Sequence, residues 1–124
     1  MDQELIDKAK EVSENAYAPY SGYKIGAALR TASGKIYTGC NVENSSYGLT
    51  ICAERAAVFN AVSRGEKDFK EIVVFSDSDV LFTPCGACRQ VLKEFSGSLK
   101  VTVISGKKIL NTTVDDLLPH GFHL

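Results

Sequence analysis

The sequence predicts an α/β domain in three layers, α-β-α, with a mixed sheet of about five strands between helices. Three observations carry this. Short apolar runs of strand length alternate with segments of helical periodicity, the pattern of a layered α/β fold. The 124 residues suit a single domain spanning 1–124. Hydrophobic residues make up 44% and charged residues 23%, a globular balance with enough apolar material for a core.

The elements follow in order. From Gln3 to Ala16, Leu5, Ile6, Ala9, Val12 and Ala16 recur at helical spacing. Tyr17 to Tyr23 (YAPYSGY) is a loop. Lys24 to Arg30 and Lys35 to Val42 read as strands, joined by a hairpin turn at Ser33-Gly34. Asn44 to Leu49 is polar and irregular. Ile51 to Val62 holds Ala53, Ala56, Ala57 and Ala61, and alanine favours helix and close packing. This segment reads as a buried central helix. Glu71 to Ser76 (EIVVFS) is nearly continuous in apolar residues, as a strand covered on both faces is. Thr83 as N-cap and Pro84 as first helical residue open another helix, with Cys88, Val91, Leu92 and Phe95 on one face. Lys100 to Ser105 is a further strand. A weaker strand at Ile109 to Val114 and a helical turn at Asp115 to Leu118 complete the chain.

Charge and composition exclude several classes. With 14 basic and 15 acidic residues the formal net charge is −1, and no Lys/Arg run offers a track for phosphates, against a nucleic-acid binder. No stretch approaches the roughly 20 apolar residues of a membrane span. The segment MDQELIDKAKE lacks the apolar core of a signal peptide, so the expectation is a soluble cytoplasmic protein. In that setting the four cysteines, Cys40, Cys52, Cys85 and Cys88, point to metal binding or catalysis rather than disulfides.

Cys85 and Cys88 form a C-x-x-C pair (PCGAC), a spacing at which two thiolates reach one tetrahedral metal. The pair alone also fits redox disulfides and structural zinc sites. Cys52 begins the earlier alanine-rich helix, so two helix N-termini would aim their positive ends at one centre and favour thiolates. Three protein ligands leave a fourth position for water, as catalytic zinc sites do. His120, His123 or Cys40 could close that position instead. The preferred reading leaves the two histidines out and packs Cys40 as a small hydrophobe in its strand. Glu54 lies two residues after Cys52 (C-A-E). A carboxylate there can take a proton from water at the metal and pass it on.

C-A-E followed by P-C-x-x-C resembles the signature of the zinc deaminases, H-x-E…P-C-x-x-C, in an all-cysteine version. With AYAPYSGYKIGAAL, TGCNVENSSYG, ICAERAA, TPCGACRQVL and DDLLPHGF, the chain from about Tyr17 to Phe122 is similar to the short homotetrameric cytidine deaminases. The resemblance implies hydrolytic deamination of cytidine and 2′-deoxycytidine, a place in pyrimidine salvage, and one Zn²⁺ per subunit on Cys52, Cys85 and Cys88. It implies Glu54 as the proton shuttle, and a homotetramer whose neighbouring subunits complete each site. It assigns Asn41 and Glu43 (in NVEN) to the sugar 3′-hydroxyl. The Ala53 N–H falls to the base O2, and the Thr83 carbonyl to the exocyclic amine. Tyr23 stands where the family usually has Phe lining the base pocket. Phe122 matches an aromatic that packs on the base in a neighbouring subunit. Arg55 matches an arginine that hydrogen-bonds the thiolates. That last role has its own logic: three thiolates on Zn²⁺ leave a net charge of −1, and a cation nearby restores Lewis acidity.

Three rivals are weighed. A blasticidin S-type deaminase shares the all-cysteine motif but departs from the nucleoside pattern at NVEN. A polynucleotide deaminase needs a groove for flanking nucleotides, which a short neutral chain disfavours. A structural zinc module would leave the open position and the adjacent Glu54 without purpose.

Overall fold

In the computed structural model, which describes residues 2–124, β1 (Ile25–Thr31) and β2 (Ile36–Cys40) form an antiparallel hairpin. Gly34 takes φ +88° at its turn, a conformation that costs a residue with a Cβ about 1–2 kcal/mol. β1 also pairs antiparallel with β3 (Phe69–Ser76), which runs parallel to β4 (Lys100–Ser105). β5 (Lys108–Thr113) closes the far edge antiparallel to β4, giving the order β2-β1-β3-β4-β5. The sheet is mixed and five-stranded, as the sequence predicts.

The one parallel pair requires a crossover, and α3 (Gly86–Phe95) supplies it. It packs on the same face as α2 (Ala53–Ser63). There Ala27, Leu29, Ile72, Val74, Val101 and Val103 of the sheet meet Ala53, Ala57, Val58, Ala61 and Leu92. α1 (Gln3–Ser13) covers the opposite face, setting Leu5 and Ala9 against Ala28, Val73 and Ile104. Adjacent strand residues thus point to opposite layers, Ala27 and Leu29 to one and Ala28 to the other. Full burial of Leu5 alone contributes about 2 kcal/mol.

Three expectations shift. The first helix ends at Ser13 rather than Ala16, because the Tyr17 N–H turns away to Asn41 O (3.0 Å) and the chain bridges to Val42. Thr83-Pro84 does not start α3. Cys85 is its N-cap, with Sγ accepting from Cys88 N at 3.4 Å, and Pro84 stays outside, buried. The last helix, α4 (Val114–Leu117), starts one residue early under a Thr113 cap.

β2 lies close under α2 because residue 39 is glycine. A Cβ there would come within 2.4 Å of Ala57 N and 2.7 Å of Ala53 O. This approach fixes the height of the first turn of α2 above the sheet, the turn that carries Glu54.

Candidate metal centre and active site

Cys52 is the N-cap of α2 and Cys85 the N-cap of α3, so both sulfurs sit at positive helix ends. Cys88, one turn into α3, is buried beside them. The Cys52 and Cys85 sulfurs are 3.7 Å apart, those of Cys85 and Cys88 3.3 Å. All three lie within 4.8 Å of one another. Tetrahedral Zn²⁺ with bonds of about 2.3 Å places sulfurs roughly 3.8 Å apart, so the trio fits that metal with small adjustments. Electrostatics agree. Hydrogen bonds from Cys88 and Arg55 draw the Cys52 thiol down to about 5, whereas the bond to Cys52 and burial push the Cys88 thiol far up. Three thiolates this close need a cation to ionise together.

Cys40 stays out of the cluster at the end of β2, where burial raises its thiol pKa. His120 and His123 are also outside it, and His123 Nε2 lies 3.2 Å from Glu94 Oε2. Among the described residues, the cluster able to hold a metal ion is therefore Cys52, Cys85 and Cys88.

The Cys52 and Cys85 side chains line a cavity of about 290 Å³. Glu54 lines it too and is only 5% exposed. Burial pushes its carboxyl up to about 7, reinforced by charge on Cys52 and opposed by Arg55. A group poised near neutrality can both accept and return a proton. Arg55 Nη2 lies 3.4 Å from Cys52 Sγ and 3.5 Å from Thr50 O. Its Nε is buried without a hydrogen-bond partner among the described residues.

Tyr23, Asn41, Glu43, Ala53 and Thr83 line the same cavity. Asn41 is buried, and its amide forms no local turn. Oδ1 accepts from Ile25 N (2.9 Å) and Nδ2 donates to Tyr23 O (2.8 Å), tying β2 to the segment entering β1. Each amide atom retains capacity for one more bond. Glu43 Oε1 accepts from Tyr20 N (2.9 Å) and Ser21 N (3.1 Å), and Oε2 accepts from the Ser21 hydroxyl. These bonds, that from the Ser21 hydroxyl foremost, hold the Glu43 carboxyl below its usual range. The Tyr23 ring stands edge-on to Phe82, centroids 4.8 Å apart at 61°. Phe122 lies in the tail away from this cavity, 66% exposed, with its carbonyl accepting from Gln90 Nε2 at 3.2 Å.

Sequence reasoning missed Ser21, Phe82 and Arg89. Ser21 and Phe82 sit in loops without periodic signal. Arg89 follows Cys88 directly, and only the fold shows that its side chain turns back to the loop before α3.

Among known proteins, residues 1–105 match the family described as the cytidine and deoxycytidylate deaminase zinc-binding region. A cytidine deaminase of Sporosarcina psychrophila is 49% identical over 122 residues, 97% of this chain and 90% of that one. A probable cytidine deaminase of Dictyostelium discoideum is 52% identical over an alignment of 127 positions that covers 98% of this chain and 86% of that one. The crystal structure of cytidine deaminase from Burkholderia pseudomallei superposes with a TM-score of 0.93 at 45% identity, covering 98% of this chain and 99% of that one. A blasticidin-S deaminase of Bacillus cereus is more distant, 33% identical over 95% of this chain and 89% of its own. With its three-cysteine cluster, the buried glutamate beside it and this similarity along its length, the chain belongs to the zinc-binding cytidine and deoxycytidylate deaminase family.

Proposed function

We propose that this chain, acting as one domain over 1–124, converts cytidine and 2′-deoxycytidine to uridine and 2′-deoxyuridine, consuming water and releasing ammonia. The observation that carries the reading is the buried Glu54 carboxylate beside three convergent thiols, two of which, Cys52 and Cys85, line the same small cavity as Glu54. Zn²⁺ held by Cys52, Cys85 and Cys88 supplies a Lewis acid that makes water a competent nucleophile near neutral pH. Glu54 takes the proton of the attacking water and places it on ring N3. After attack at C4 it takes the remaining proton of the new C4 hydroxyl and delivers it to the exocyclic amine, which departs as ammonia and leaves the carbonyl at C4. The Ala53 N–H holds the base O2, the Thr83 carbonyl holds the amine, and Tyr23 with Phe82 gives the ring an apolar wall. Asn41 and Glu43 receive the sugar hydroxyl.

Among the described residues no lysine or arginine lines the cavity, and its rim carries the ionised Glu43. That lining suits an uncharged nucleoside and disfavours a phosphorylated one or a polynucleotide. Incubation with cytidine, 2′-deoxycytidine, 2′-deoxycytidine 5′-phosphate, blasticidin S and a short single-stranded DNA, with ammonia as readout, tests this. Ammonia from the two nucleosides is expected. Release only from blasticidin S or from DNA contradicts the reading.

The working unit in this proposal is a homotetramer, with Phe122 of one copy closing the site of another. Its support is that α2 keeps apolar side chains away from the sheet, with Phe59 50% exposed, and that Phe122 is 66% exposed. Sedimentation at micromolar concentration should return four chains. The thiol ligands require a reducing compartment, and we place the enzyme in the cytoplasm, in pyrimidine salvage.

A further inference from the structure

Arg89 spans three separate parts of the chain. Its Nε donates to Pro84 O at 2.6 Å, and its Nη2 donates to Thr83 Oγ1 at 3.1 Å. Its Nη1 donates to Leu117 O at 2.7 Å, at the end of α4. Thr83 lines the cavity, Pro84 is buried, and Cys85 follows as a metal ligand. The Thr83-Pro84 segment lies outside α3, so the hydrogen-bond ladder of that helix does not hold it. Cys85 has its own anchor in the bond from Cys88 N to its sulfur. The wall at Thr83 depends instead on the guanidinium fork, whose donors lie in one plane and hold several acceptors in a fixed relation. A lysine at the same place could satisfy only part of that set.

We infer that Arg89 is a positioning residue that sets the Thr83 wall of the base pocket, braced against the carbonyl of Leu117. The inference rests on the functional reading above, in which the Thr83 carbonyl accepts from the exocyclic amine. It deepens that reading by naming what holds the carbonyl in place. Arg89 touches neither substrate nor metal in this account. Its effect is therefore on discrimination. A fixed carbonyl acceptor welcomes the amine of cytidine and repels the carbonyl that uridine carries at the same carbon. If the wall is free to move, this preference relaxes.

The test uses the zinc-loaded full chain and the variants Arg89→Lys, Arg89→Gln and Thr83→Val, with Ile104→Val as a mildly destabilised control in the α1 layer, outside the cavity lining. Measured are zinc per chain, Tm, KM and kcat for cytidine, and Ki for uridine. Both Arg89 variants should keep one zinc per chain and lose kcat/KM by roughly 10- to 100-fold, the scale of a misplaced contact. Their ratio of Ki for uridine to KM for cytidine should fall several-fold. Thr83→Val should show a smaller fall, because it removes only one of the three acceptors of Arg89. Ile104→Val should lower Tm and leave the ratio unchanged. An unchanged ratio in folded Arg89 variants overturns the inference, whether or not kcat/KM falls. If the Arg89 variants do not fold, an unchanged ratio in Thr83→Val overturns it. Absence of uridine formation by the zinc-loaded wild type would count against the functional reading instead.

Discussion

The guanidinium of Arg55 reaches 3.4 Å from the sulfur of Cys52, placing a fixed positive charge against a metal ligand. The hydrogen bond to Cys52, and then the charge on that sulfur, raises the Arg55 pKa further, so the cation persists at any working pH. An all-thiolate shell donates more charge than a histidine-containing one, and we propose that Arg55 withdraws part of it. Arg55→Gln should lower kcat for cytidine by about 10- to 100-fold while zinc per chain stays at the wild-type value. Unchanged kinetics in the zinc-replete variant would refute the role.

Gly39 makes a prediction about how the fold holds the site. A methyl group there meets the backbone of Ala57 and Ala53, which cannot step aside without moving the first turn of α2. Gly39→Ala should cost about 1–3 kcal/mol and weaken zinc binding, because Cys52 and Glu54 move with that turn. Gly34→Ala is the comparison. It strains a residue at φ +88° with open space around it, so Tm should fall while zinc affinity and kcat/KM hold. Denaturation curves and competition with a chelator separate the two outcomes.

A pH signature belongs to Glu66. Its Oε2 accepts from Ser33 (2.8 Å), Tyr37 (3.0 Å) and Thr31 (3.1 Å), fastening the loop after α2 to the β1–β2 hairpin. The Ser33 bond foremost, then those of Tyr37 and Thr31, hold its carboxyl below the ordinary 4.5. A depressed folded-state pKa contributes stability that is present above the unfolded value and lost as pH falls through the folded one. Glu66→Gln should therefore lower Tm above pH 4.5, and the gap to wild type should narrow below it. A gap that is constant across that range would contradict the assignment.

Much of this was legible in the sequence, for identifiable reasons. The strand EIVVFS and the alanine-rich helix carry strong local signals, and both appear in place as β3 and α2. Cys52, Cys85 and Cys88 announced themselves by spacing and by their helix starts. What the sequence hid depends on distant partners. Thr83-Pro84 has the local chemistry of a helix start, but Cys85 caps the helix with its own sulfur. Arg89 looks like a surface residue of α3 until the fold brings Leu117 alongside. Asn41 joins Ile25 and Tyr23 across the chain, a bridge no local pattern encodes.

The central claim is that Glu54 moves the protons of a hydrolytic deamination at a centre held by Cys52, Cys85 and Cys88. The most direct test compares ammonia release from cytidine by the zinc-loaded wild type and by Glu54→Ala, with zinc measured in the same samples. The account predicts one zinc per chain in both, with turnover in the wild type and a loss of at least about 100-fold in the variant, the lower range of a general acid–base contribution. Comparable turnover in zinc-replete Glu54→Ala would contradict it.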